Sequence, residues 1–167
     1  MNNDIKIENE IADTYQKLLK SDRSIKISGT EFHDWVMKKG YSLYQRDLKR
    51  TNKEFNYDYN DYRQKICEAI KKTPYVGKDY YTGEKLDWNL IGKYQNSDAK
   101  QNGKAYKRKF ALMPTVDHIN AEAKPEFVIC SWRMNDAKND LSECGFTKLC
   151  IRFLRNKGIM VKKNKLT

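Results

Sequence analysis

Histidine is almost missing from this chain: 167 residues carry only two, His33 and His118. Any chemistry that needs an imidazole therefore has two places to reside. The four cysteines, Cys67, Cys130, Cys144 and Cys150, include no Cys-x-x-Cys pair. That argues against a zinc ribbon or a dithiol redox motif. No apolar run approaches the roughly 20 residues of a membrane span, and no secretory signal pattern is read at the N-terminus. The expectation is a cytoplasmic protein in reducing surroundings, with all four thiols free. Internal repeats are absent too.

What is abundant is charge. Charged residues make up 33% of the chain and the net is +11, against an apolar fraction of 39%. That fraction is low but enough for a modest core in one compact domain, or a small domain with an extension. The positive excess is uneven. Residues 1–72 hold 15 basic and 12 acidic residues, a net +3, whereas residues 73–167 hold 18 and 10, a net +8. A basic surface of this size suits a polyanion bound through counterion release. It also suits nothing more than a well-solvated surface. Eleven tyrosines argue against wholesale disorder.

Hydrophobic spacing divides the chain. Ile7, Ile11, Tyr15, Leu18 and Leu19 share one helical face over 5–20. Ser28-Gly29-Thr30-Glu31 fits a capping box opening a helix to about Lys39, with Gly40 as a natural stop. A third helix fits 58–72 on Tyr59, Tyr62, Ile66 and Ile70; the connection 41–57 reads as partly helical. Thr73-Pro74 marks a boundary, Tyr81-Thr82-Gly83-Glu84 a turn, and 96–103 a polar surface loop. Phe110 to Val116 reads as a strand approaching Asp117, and Phe127 to Trp132 as its antiparallel partner. A helix from about Arg133 to Leu141 and another over 145–157, ended by Gly158, complete the pattern. Trp88, Phe110, Phe127 and Trp132 are candidate core residues.

The chemistry-bearing residues gather at the end of the first strand and the start of the helix after the second. Asp117 and Asn135 offer a carboxylate and an amide oxygen, the donors a hard divalent ion takes. Histidine titrates near neutrality as a residue type, which suits His118 to general-base work. Adjacent strand residues point to opposite faces, so a bend or bulge is expected to bring Asp117 and His118 to one site. Lys138 lies one helical turn after Asn135, where it can meet a phosphate oxygen. Lys104, Lys107, Arg108 and Lys109 form a dense basic cluster before the first strand, and Arg133 adds a cation beside the second. Each has a plainer reading: Asn135 as a helix cap, the lysines as solvated side chains, His33 as an ordinary helix-surface histidine. In 41–57, aromatic and basic residues alternate, as suits either base stacking or packing of helices on a core.

Val116-Asp117-His118-Ile119, followed by Phe127 to Asp140 with Asn135 and Lys138 in place, resembles the HNH endonuclease motif, most closely the HNH domain of RNA-guided CRISPR nucleases. The turn at Tyr80 to Glu84 resembles one found upstream of many such motifs. The resemblance covers roughly 76–142. It implies an α+β fold: a helical N-terminal region (1–73, for DNA contact or dimerisation) packed on a ββα-metal core (74–167), with the last helix covering one side. It implies His118 as general base, Asp117 and Asn135 as metal ligands, Lys138 as the accompanying cation, and magnesium or manganese as the ion, without structural zinc. The expected function is hydrolysis of DNA to 5′-phosphate and 3′-hydroxyl ends, as in restriction or phage defence. The alternatives are a nucleic-acid-binding module without turnover and a ribonuclease of the same fold. A homodimer would allow both strands to be cut. The family's middle Asn has no counterpart: Glu126 stands at about that position, and Asn120 is a candidate replacement.

Overall fold

Ser28 starts the longest described helix as its sequence announces. Its hydroxyl accepts the Glu31 backbone N–H, while the Glu31 carboxylate accepts the Ser28 N–H. In the computed structural model, which describes residues 3–51, 55–120 and 122–160, this helix does not stop at Gly40. Helix α1 covers Asn3–Ser21, α2 Gly29–Arg50 and α3 Tyr59–Ile70. Gly40 is buried inside α2, and a Cβ there would lie 3.0 Å from Cγ of Arg63 and 3.4 Å from the Tyr59 ring. The glycine lets α3 approach α2; it does not break the helix. The Tyr59 hydroxyl seals the contact by donating to the Met37 carbonyl at 2.7 Å. Residues 41–50 are therefore wholly helical, and their extra turns carry Arg46 and Asp47 across the molecule.

After α3 the chain runs through turns and a short 3-10 segment, Trp88–Leu90. Residues 96–103, expected as a loop, belong instead to α4 (Asn96–Lys109), which is interrupted at Gly103 with φ +56. Tyr106 anchors it by accepting the Gln95 N–H at 3.1 Å and packing on Tyr94 and Phe110. Strand β1 (Pro114–His118) begins later than expected, because 110–113 form a turn. It pairs antiparallel with β2 (Phe127–Ser131) in a regular register, His118 opposite Phe127 and Pro114 opposite Ser131. Helix α5 (Trp132–Lys138) follows at once. Its free N-terminal N–H groups are met by the carbonyls of Met113 and Ala111 and by the Ser131 hydroxyl. Asn139, at φ +50, ends it three residues short of the expected Leu141.

A single buried cluster joins Ile7, Ile11 and Leu18 of α1, Phe32 and Val36 of α2 and Tyr62 and Ile66 of α3 to Trp88, Val116, Phe127 and Ile129. The divide at residue 73 is thus no packing boundary, and the helical region and the hairpin share one core. Of the candidate core residues, Trp88, Phe110 and Phe127 are buried and Trp132 is half-buried. The architecture is mixed, mostly helical with a two-stranded antiparallel sheet. Helix α6 (Glu143–Asn156) departs from expectation. It buries no residue, and Leu149 and Phe153 are 50% and 59% exposed. Its start is tied by the Glu143 N–H to the Ile119 carbonyl, and Phe146, Cys150 and Leu154 of its apolar stripe are only half-buried. Such a stripe signals amphipathicity without naming a partner. No described helix is long and apolar enough to cross a membrane.

Candidate active site

The residues singled out in the sequence meet at a cleft of about 300 Å³ at the end of β1. Asp117, His118, Asn135 and Lys138 all line it, together with Arg46, Arg50, Trp132 and a rim that includes Glu122, Asp136 and Asp140. No bulge was needed. The β1 register is regular through His118, so Asp117 and His118 leave the strand on opposite faces. They reach one cleft because it wraps around the strand end, with α5 and the turn at 79–84 on the Asp117 side and α2 on the His118 side.

On the first side, the Asp117 carboxylate is buried. Its Oδ2 accepts the Tyr81 hydroxyl at 2.7 Å and pairs with the Lys138 ammonium at 3.0 Å. Burial, and then the bond to Asp117, hold the Tyr81 phenol well above its ordinary range, so it remains a donor. Tyr81 is aimed by Asp79, a fully buried carboxylate that accepts the backbone N–H groups of Tyr81, Thr82 and Ser131 at 2.8, 3.0 and 2.6 Å. The turn is thereby stapled to the end of β2. Lys138 is 1% exposed and also donates to the His118 carbonyl at 2.9 Å. Its ammonium compensates a buried carboxylate and fixes the strand end; it is not extended toward a ligand, as the sequence had suggested. Asn135 is half-buried beside it on α5, its side chain lining the cleft.

On the second side stands the residue that sequence reasoning missed. Asp47 of α2 lies 71 positions before His118 and accepts its Nε2 at 2.7 Å. Asp47 is almost fully buried and also accepts the Tyr62 hydroxyl at 2.8 Å. Burial pushes its carboxyl up, but the bond from His118, the neighbouring charge and Tyr62 outweigh this and hold it below the usual carboxylate range. The His118 ring rests edge-on against Phe127, centroids 4.8 Å apart. Neither Glu126 nor Asn120 braces the histidine: both side chains are exposed, and Glu126 contributes only its backbone carbonyl, to the Ile119 N–H. The brace comes from α2. A buried-facing Asp on the helix after Gly40 was the available signal, concealed by reading Gly40 as a stop.

The basic cluster lies nearby. Lys104, Lys107, Arg108 and Lys109 are exposed on the last turns of α4. That helix is linked to the cleft wall by tilted ring contacts, Tyr106 with Tyr94 and Tyr94 with Trp132 at 5.6 and 5.4 Å. Arg133 is exposed and paired with Glu84. His33 is half-buried on α2, 2.8 Å from Glu8 of α1, an inter-helix contact that does not line the cleft.

Could the cleft hold a metal? Among the described residues, no group of three His, Cys, Asp or Glu side chains could do so. The available donors are oxygens, from Asp117 and Asn135, with Oδ2 of Asp117 already engaged by Tyr81 and Lys138. Zinc sites take three or four protein ligands from cysteine, histidine and carboxylate, more than Asp117 and Asn135 supply. Two protein oxygens suit a magnesium-like ion, which keeps several waters and completes its shell with substrate phosphate.

Comparison of the chain with family models, with curated proteins and with solved structures finds no match. The chemistry is therefore argued from the cleft itself.

Proposed function

We propose that this protein is a metal-dependent endonuclease of the HNH, ββα-metal type that hydrolyses DNA. The observation that carries the reading is the convergence of Asp117, His118 and Asn135 on one polar cleft, with a buried carboxylate behind the histidine. Asp47 holds the proton of the imidazole on Nε2 and so leaves Nδ1 as the basic nitrogen. Nδ1 takes the proton of a water whose oxygen attacks phosphorus. The P–O3′ bond breaks and the departing 3′-oxygen takes a proton from solvent, giving 5′-phosphate and 3′-hydroxyl ends. Asp117 and Asn135 would hold magnesium or manganese, which supplies charge neutralisation at the phosphate and leaving oxygen when bound. The exposed lysines of α4 and Arg108 give the DNA backbone a basic approach.

The test is cleavage of supercoiled plasmid with magnesium or manganese, for the wild type and His118→Ala side by side. Nicking that requires both the metal and His118 is the expected result. Cleavage that survives EDTA would sink the metal assignment, and equal cutting by both proteins would sink the role of His118. A second reading, a nucleic-acid-binding module without turnover, draws on the Lys138 ammonium that already neutralises Asp117. Tight, salt-sensitive DNA binding with no cleavage in any divalent ion would favour it. RNA competing in the same tube decides between DNA and ribonuclease activity.

A further inference from the structure

Phosphodiester chemistry needs a cation at the non-bridging oxygens, and Lys138 is locked away from them. The cation that does stand beside the base is Arg46. Its side chain is 41% exposed and reaches from α2 into the cleft, with Arg50 one turn further along the same helix. Its Nη2 touches Nδ1 of His118 and lies 3.4 Å from Nε2, while its Nε is 3.3 Å from Oδ1 of Asp47. Nε2 of His118 is therefore engaged by Asp47, while the Arg46 guanidinium lies against the face of the ring at Nδ1.

Resting on the nuclease reading above, we propose that Arg46 is the phosphate-binding residue of this site, and that it gives up Nδ1 of His118 for the phosphodiester when substrate enters. The exchange is favourable because a guanidinium forms paired, charge-assisted hydrogen bonds with phosphate, which an imidazole cannot match. It is also local. Arg46 is already partly solvated, whereas moving Lys138 would strip a buried carboxylate of its partner. The same movement clears the guanidinium from the ring face at Nδ1, while Asp47 keeps its hold on Nε2.

The experiment uses the whole chain labelled with ¹⁵N-histidine, free of metal in EDTA, and a short DNA duplex as the probe. With two histidines in the sequence, His33 serves as the internal control. In the wild type, the duplex is expected to shift the ring nitrogens of His118 and leave those of His33 in place. In Arg46→Gln, the His118 nitrogens should already differ from the wild type before DNA is added and respond little to it. Unchanged His33 signals show that the variant is folded. In magnesium, Arg46→Gln should lose about 100-fold in kcat/KM, the scale for removing one donor to a transition-state oxyanion, and Arg46→Lys should recover part of it. The proposal is overturned if Arg46→Gln leaves the His118 nitrogens of the free protein as in the wild type, if the duplex binds without moving them, or if the variant cuts at the wild-type rate. If neither protein cuts, the nuclease reading falls, and the metal-free ring signals still decide whether phosphodiester displaces Arg46.

Discussion

One wall of the cleft is made by residues 114–138, a hairpin and a helix consecutive in the chain. The other is made by α2, which reaches His118 from 71 positions away. Each wall brings a carboxylate and a cation, but they are held differently. Lys138 is buried between the Asp117 carboxylate and the His118 carbonyl. Arg46 is partly solvated against Asp47 and the His118 ring. The local wall therefore fixes geometry, and the distant wall carries the cation free to move. The same chemical group does different work according to how much water it retains.

The largest expected effect separates the two cations. Lys138→Met leaves Asp117 buried without its compensating charge and should cost about 3–5 kcal/mol in denaturant unfolding. Arg46→Gln removes a half-solvated pairing and should cost less than about 1 kcal/mol. Equal losses would abolish the distinction between the walls. Asp47→Ala comes next, because it strands both the His118 ring and the Tyr62 hydroxyl. A loss of about 2–3 kcal/mol is expected, the scale for leaving a buried polar group unsatisfied.

Asp47 also has a signature in pH. Its folded carboxyl titrates below the ordinary range, so its contribution is complete above the unfolded value of about 4. It is lost as pH falls through the lower folded value. Acid unfolding of Asp47→Asn should accordingly be shallower than that of the wild type; superimposable curves would remove Asp47 from the account. On the opposite wall, Tyr81→Phe deletes one bond to the buried Asp117 carboxylate and should cost about 2 kcal/mol. The smallest perturbation compares the shared core with α6. Cys144 is exposed on α6, while Cys67 and Cys130 are buried. Burial pushes the Cys67 thiol up to about 12 and that of Cys130 higher than its ordinary range as well. A thiol reagent should modify Cys144 in the folded protein and reach Cys67 and Cys130 only on unfolding.

Much of this site was legible because its spacing is local. The two strands, the helix opening after Ser131 and the capping box at Ser28 follow from patterns within a few residues of one another. So does the turn at Tyr80 to Glu84, though not its destination: nothing in that turn says that Asp79 will staple it to Ser131 or deliver Tyr81 to Asp117. The errors share one cause. Gly40 reads as a terminator because glycine is a poor helix former, but the approach of Arg63 and Tyr59 needs that position bare. Residues 96–103 read as a loop because they are polar, yet Tyr106 packing on Tyr94 and Phe110 holds a helix there. The stripe on the last helix reads as buried, and α6 buries none of it.

By itself the sequence determined which residue types stand at the strand end and helix start, since local periodicity and capping follow from backbone geometry over a turn or two. It determined the basic balance as well. Only the tertiary structure decided which carboxylate braces His118, which cation is locked and which is partly solvated. Those outcomes depend on burial and on contacts between segments far apart in the chain, and burial is a property of the packed molecule that no local pattern carries.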